Sequence, residues 1–241
     1  MADLSETNPD PQVRAHCVLG LDVGGLDDAL AVAQLLSPWC GWMKVGMELA
    51  AEAGPTAYRV FIEQGSDVFA DTKFHDIPNT VYRASRVIGR HGVGMMNVHA
   101  AGGVEMVRAG LEGFREGRAD RGLDAGVFIA VTVLTSEPDA SAVEARLDIA
   151  AEAGCDGVVC AAAEAPLARA RGLAPLVPGI RFADGETNDQ ARVTTPGDAM
   201  AAGAEWLVLA RILTAAPDPQ AAAAAVHAEV ASRLGSAAHP A

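Results

Sequence analysis

Positive charge is scarce in this chain. Its 241 residues include 18 Lys and Arg against 31 Asp and Glu, a formal net charge of −13. A field of that sign repels phosphate backbones and anionic lipid, so nucleic acid and membrane surfaces are poor partners. A small anionic substrate would need a local cluster of Arg and Lys. Cysteine is also sparse. The four, Cys17, Cys40, Cys155 and Cys160, show neither C-x-x-C spacing nor a zinc pattern. Cys17 and Cys160 lie in apolar runs, which predicts buried thiols in a reducing cytosol. No uncharged apolar run approaches the ~18 residues of a membrane span. Residues 1–12 lack the apolar centre of a signal peptide. The expectation is a soluble, cytoplasmic protein. No Gly-rich phosphate turn of the dinucleotide-binding kind follows the first strand, and no cofactor or metal motif is legible, so none is expected.

What is present is apolar and regular. Half of the residues are hydrophobic, and the length suits one large domain. Strand patterns are predicted at 17–23, 42–47, from 68 onward, and at 94–100, 126–134, 157–161, 176–181 and 206–211. Helical patterns alternate with them at 26–36, 55–64, 80–89, 104–116, 141–153, 164–171, 195–202 and 219–234. The near-continuous apolar run at 126–134 suits a parallel sheet covered on both faces. Strict alternation with eight strands predicts an α/β fold, a single (β/α)8 TIM barrel over residues 16–235. Disordered tails are expected at 1–15 and 236–241. An open doubly wound sheet is the other architecture compatible with the pattern.

One stretch concentrates the chemistry: Asp71-Thr72-Lys73-Phe74-His75-Asp76-Ile77-Pro78-Asn79-Thr80. It continues the apolar run Val68-Phe69-Ala70, so it begins as a strand, with a break into a loop expected at Pro78. On a regular strand Asp71 and Lys73 share a face, roughly 7 Å apart. Asp76 lies past the strand's end and is free to point elsewhere. A lone Asp-x-Lys would usually be a structural ion pair; the added Asp76 and the turn beyond it favour a functional role.

In a barrel the active site forms at the C-terminal ends of the strands. Those ends supply Asp22, Lys44, Asp71 with Lys73, His99, Thr135, Arg181 and Arg211. His99 reads better as a satisfied core histidine than as a catalyst. Arg181 and Arg211 end strands seven and eight, where such barrels often hold a phosphate, and the planar guanidinium suits that task. Residues 182–194 between them are polar and read as a lid, with Gln190 as an amide donor.

This signature resembles that of the orotidine 5′-phosphate decarboxylase family, bacterial type. Further matches fall in the family's order: Leu21-Asp22-Val23, Lys44-Val45-Gly46, Asn97-Val98-His99-Ala100, Val131 to Ser136, Pro178 to Arg181, and Asp189-Gln190. The resemblance covers residues 17–213. It implies cofactor-independent decarboxylation of orotidine 5′-phosphate to UMP, the last step of de novo pyrimidine nucleotide synthesis. By this likeness Lys73 protonates C6, Asp71 faces the substrate carboxylate, and Lys44 and Asp76 complete an alternating charge array. The likeness also implies a homodimer with shared active sites, each receiving Asp76 and Thr80 from the partner subunit. Asp22 and Thr80 would touch the ribose, Thr135 the base, and Arg181, Gln190 and Arg211 the phosphate. One position departs from the family: Ala210 stands where Gly is usual, and its Cβ is expected to crowd a phosphate held by backbone N–H groups. Two alternatives compete. Magnesium-dependent sugar-phosphate decarboxylases and aldolases of the same barrel group share the Asp-x-Lys-x-x-Asp run, but resemble one another in carrying Glu in place of Lys44. A non-catalytic barrel that binds a phosphorylated ligand is the other; the cost of burying unneeded charges argues against it.

Overall fold

Eight short parallel strands close on themselves in the computed structural model, which describes residues 9–134, 136–137, 140–183 and 193–237. They are β1 (Cys17–Gly20), β2 (Trp42–Val45), β3 (Asp67–Phe74), β4 (Met95–His99), β5 (Val127–Val131), β6 (Gly157–Val159), β7 (Ala174–Val177) and β8 (Trp206–Leu209). Each pairs with its sequence neighbour, and β1 pairs with β8, which excludes the open sheet. Val18, Phe69, Met95, Ile129, Leu176 and Val208 fill the interior of the barrel. A second, larger core lies between the strands and the outer helices. Both faces of the strands are therefore dry, which is why they read as unbroken apolar runs.

The helices are α1 (Pro11–His16), α2 (Leu26–Leu36), α3 (Met47–Ala53), α4 (Thr56–Glu63), α5 (Pro78–Arg90), α6 (Gly103–Ala119), α7 (Val143–Ala153), α8 (Ala165–Arg169), α9 (Pro196–Ala201), α10 (Arg211–Thr214) and α11 (Pro219–Ala237). Among the described residues, no helix is long and apolar enough to cross a membrane.

Three differences from the sequence reading have local causes. Residues 11–15, expected in a disordered tail, form most of α1. Asp10 accepts a bond from the Gln12 N–H, Pro11 opens the helix, and Val13 is buried. Residues after β2 turn at once into α3, between Gly46 and a Gly54 at φ +57°. Pro78 begins a helix instead of a loop: its fixed φ suits the first helical position, where its missing N–H is not needed. Thr80 consequently sits on the first turn of α5.

Helices α5 and α6 approach backbone to backbone. A Cβ added at Gly113 would overlap the Tyr82 carbonyl, and one at Gly117 the Arg86 carbonyl; one at Gly89 would overlap the Phe114 carbonyl. Ion pairs of Arg86 and Arg90 with Asp120, both at 3.0 Å, flank the seam. This contact sets where α5 begins, and so where Thr80 and the loop before it lie. Gly117→Ala is expected to cost about 1–3 kcal/mol by overpacking. Gly235→Ala, in open space on α11, should leave stability unchanged or slightly raised. Urea denaturation of both variants tests this; an unaltered midpoint for Gly117→Ala would contradict the close approach.

Candidate active site

The C-terminal ends of β1 to β4 converge on one chain of charges. Lys44 Nζ lies 3.0 Å from Asp22 Oδ1 and 3.3 Å from Asp71 Oδ2. Lys73 Nζ lies 2.6 Å from Asp71 Oδ1. The order Asp22–Lys44–Asp71–Lys73 alternates in sign, and its two inner members are buried, with 6% (Lys44) and 8% (Asp71) of their surface exposed. Burial alone would push the Asp71 carboxyl up. Lys44, Lys73 and a hydrogen bond from Asn97 outweigh it and hold the group below the usual carboxylate range. Lys44 is the mirror case: burial disfavours its charge, but Asp71 and Asp22 raise its pKa above the ordinary 10.5. Gly46 makes the first pair possible, because a Cβ there would overlap Asp22 Oδ1.

The geometry of Asp71 and Lys73 departs from a regular strand. Ala70 pairs with Met96 and Phe74 with Val98, so Asp71, Thr72 and Lys73 bulge opposite the single residue Asn97. Lys73 has φ +49°, alone among the described non-glycine residues in being positive. The bulge folds the lysine back onto Asp71, where a flat strand would hold the two residues apart.

These side chains form one wall of a cavity of about 250 Å³, lined elsewhere by apolar residues such as Phe69, Val131, Val159 and Val208. Val208 also borders a second cavity of about 270 Å³, with Asp22, Arg181, Ala210 and Arg211. Arg211 is the first residue of α10, and Arg181 is half-buried just past β7. A pocket with charges on one wall and apolar residues on the others thus adjoins one with two guanidinium groups, a pairing suited to a ligand with a polar ring and an anionic tail. Ala210 borders the second cavity with its methyl against Gly20, where an added Cβ would approach it to 2.9 Å. Only one of these two positions has room for a side chain.

Asp76 and Thr80 are not brought to this array within the chain. Both are exposed. The Asp76 carboxylate accepts the Ile77 N–H at 2.7 Å and forms no ion pair with any described residue. Ile77 beside it is 66% exposed. Thr135 and Gln190, with the rest of residues 184–192 of the expected lid, lie outside the described residues. His99 is half-buried, its ring 5.9 Å from that of His75. Burial, then His75, Lys73 and Arg146, lower its pKa against the opposing pull of Asp71, which favours the neutral ring.

Asn97 had no assigned role in the sequence reading. A polar residue inside the strand Met95-Met96-Asn97-Val98 is a signal, since a buried amide requires partners. The identity of those partners depends on the bulge, which the sequence does not display.

Comparison with known proteins places this chain in a family. Residues 16–226 match the model of the orotidine 5′-phosphate decarboxylase / HUMPS family. The chain is 44% identical to orotidine 5′-phosphate decarboxylase of Moorella thermoacetica, covering 90% of this chain and 94% of that protein. For the enzyme of the same name from Heliobacterium modesticaldum the identity is 39%, with 92% and 98% covered. The crystal structure of orotidine 5′-phosphate decarboxylase from Lactobacillus acidophilus superimposes with a TM-score of 0.74 at 30% identity, over 89% of this chain and 98% of that one. With its closed barrel and its match over nearly the whole folded length, the chain belongs to the orotidine 5′-phosphate decarboxylase / HUMPS family.

Proposed function

We propose that the protein decarboxylates orotidine 5′-phosphate to UMP without a cofactor. The observation that carries this reading is the array Asp22–Lys44–Asp71–Lys73, buried at its two inner members, with Lys44, Asp71 and Lys73 on the wall of a largely apolar cavity. Breaking the bond from C6 to the carboxylate leaves an electron pair in an sp² orbital that cannot delocalise into the ring. Any acceleration must come from charges already in place, which are worth most where water is excluded. Reactions this slow without an enzyme require roughly 20 kcal/mol of barrier reduction.

In this scheme the pyrimidine occupies the first cavity and the phosphate the second, held by Arg181, Arg211 and Gln190. Asp22 and Thr80 meet the ribose, Thr135 the base. The C6–C bond breaks, CO2 leaves, and the Lys73 ammonium gives its proton to C6. The neutral amine regains a proton from solvent. Asp71, ionised between two lysines, keeps Lys73 aimed. It also faces the substrate carboxylate, a repulsion relieved as neutral CO2 forms. Lys44 separates this reading from metal-dependent chemistry. Its ammonium already occupies the space between two carboxylates where a divalent cation would otherwise bind.

We further infer that the active enzyme is a homodimer whose sites are each completed by Asp76 and Thr80 of the partner subunit. Exposed Asp76, without an ion pair to any described residue, and the exposed Ile77 support this.

Three expected outcomes test the scheme. Lys73→Ala should lower kcat at least ~10²-fold while UMP affinity changes little, because the lysine acts in the transition state; near-normal turnover rules it out as proton donor. Activity should survive exhaustive chelation, and a large loss restored by magnesium would contradict the role of Lys44. Lys73→Ala and Asp76→Ala, each nearly inactive, should recover roughly a quarter of normal activity when mixed and allowed to exchange subunits. Half of the dimers are then mixed, and half of their sites are intact. No recovery despite exchange verified by mass would refute the shared site.

A further inference from the structure

We propose that Asn97 is the positioning residue of the charge array, fixing both the Lys73 backbone and the rotation of the Asp71 carboxylate. The proposal rests on the decarboxylase reading for its effect on turnover, though not for its effect on Asp71.

Every residue of the bulge is tied to Asn97. The Thr72 hydroxyl donates to the Asn97 carbonyl at 2.6 Å. The Lys73 backbone N–H donates to Asn97 Oδ1 at 2.7 Å. Asn97 Nδ2 donates to Asp71 Oδ1, also at 2.7 Å. Three residues of β3 therefore hang on one residue of β4. The left-handed backbone at Lys73 is unfavourable for a residue with a Cβ, and it persists only if its surroundings hold it. The bond from Lys73 N–H to the amide oxygen supplies that hold and satisfies a donor that the bulge removes from the strand ladder.

The second effect is on the carboxylate. Asp71 Oδ1 receives both Lys73 Nζ and Asn97 Nδ2, which leaves Oδ2 toward Lys44. One oxygen is thus committed to each lysine. Of the uncharged side chains that fit here, asparagine offers a donor and an acceptor on one short planar group. Leucine offers neither, and aspartate would put a second carboxylate against Asp71. Asn97 is fully buried and is absent from the cavity wall, so it acts through Asp71 and Lys73 and not on substrate.

The charged and titratable groups around Asp71 are Lys44 on β2, Lys73 on β3, His99 on β4 and Tyr58 on α4, with Asp22 behind Lys44. Asn97→Leu changes none of them and keeps the branching of the side chain, although its two methyl groups are bulkier than the amide oxygen and nitrogen they replace. Three readouts separate positioning from mere packing. First, Asn97→Leu should lower kcat ~10–100-fold, as loss of a supporting partner does elsewhere, with UMP affinity within a few-fold of normal. Second, in a Lys73→Ala background the same change should cost kcat almost nothing more, whereas a packing defect would multiply the losses. Third, the Asp71 carboxyl, followed by 13C NMR in the ligand-free protein, should titrate at higher pH in Asn97→Leu, since a donor to its charged form is gone. Unchanged Asp71 titration together with normal kcat, or multiplying losses, would overturn the proposal. If Asn97→Leu does not fold, Thr72→Val removes one tether at nearly constant shape and should lower kcat several-fold at unchanged UMP affinity; normal kcat there would overturn it as well. Should the wild-type protein not decarboxylate, the decarboxylase reading fails while the Asp71 titration still decides the role of Asn97.

Discussion

A carboxylate that stays ionised inside a protein is the constraint on which this site depends. Asp71 has little access to water, and desolvation alone would raise its pKa and disfavour its charge. Two ammonium groups and an amide N–H keep it charged. Buried ion pairs of this kind add little net stability, because desolvation consumes most of the Coulomb gain. Their value lies in a field already oriented before substrate arrives. The rest of the barrel serves that field. The apolar layer below it, including Phe69 and Met95, keeps the local dielectric low, and the bulge in β3 brings Lys73 to hydrogen-bonding distance of Asp71.

The sequence displayed most of the frame and half of the site. Alternating apolar runs located all eight strands, and α2 falls at the limits read from its pattern, because both signals are local. Polar residues just past those runs pointed to Asp22, Lys44, Asp71, Lys73, Arg181 and Arg211, since parallel strands must present their ends on one side. Signals depending on register or tertiary contact were less legible. Residues 11–15 look like a tail until Val13 is buried against the barrel. Pro78 reads equally as a break or as a helix start. The bulge at Asp71–Lys73 arises only when β3 is laid against β4, so neither Lys73's backbone nor Asn97's three bonds could be read along one strand.

Small residues set several of the distances that matter. Gly46 leaves room for Asp22 beside Lys44, and Gly20 faces the methyl of Ala210. The second case bears on the position where this chain departs from its family's usual glycine. Ala210 has ordinary negative φ (−112°), so no left-handed backbone forbids a side chain there. The space its methyl needs is provided by the absence of one at Gly20 on the neighbouring strand. Positions 20 and 210 therefore form a steric pair, and what either can carry depends on the other.

The proposed division of labour between the two cavities follows from the same electrostatics. An array with Asp71 facing the substrate carboxylate binds the reacting end of its ligand poorly, since two like charges are forced together before CO2 leaves. Something remote must hold the ligand there. Arg181 and Arg211, in the second cavity that meets the first at Val208, lie where an anionic tail can provide that hold without touching the reacting carbon. Truncating the tail should then reduce turnover as well as affinity, because the interaction at the guanidinium groups offsets the strain at Asp71. A pocket built only to bind its ligand would place its cations nearest the carboxylate. In the proposed pose an aspartate stands in that place, an arrangement that serves catalysis better than storage.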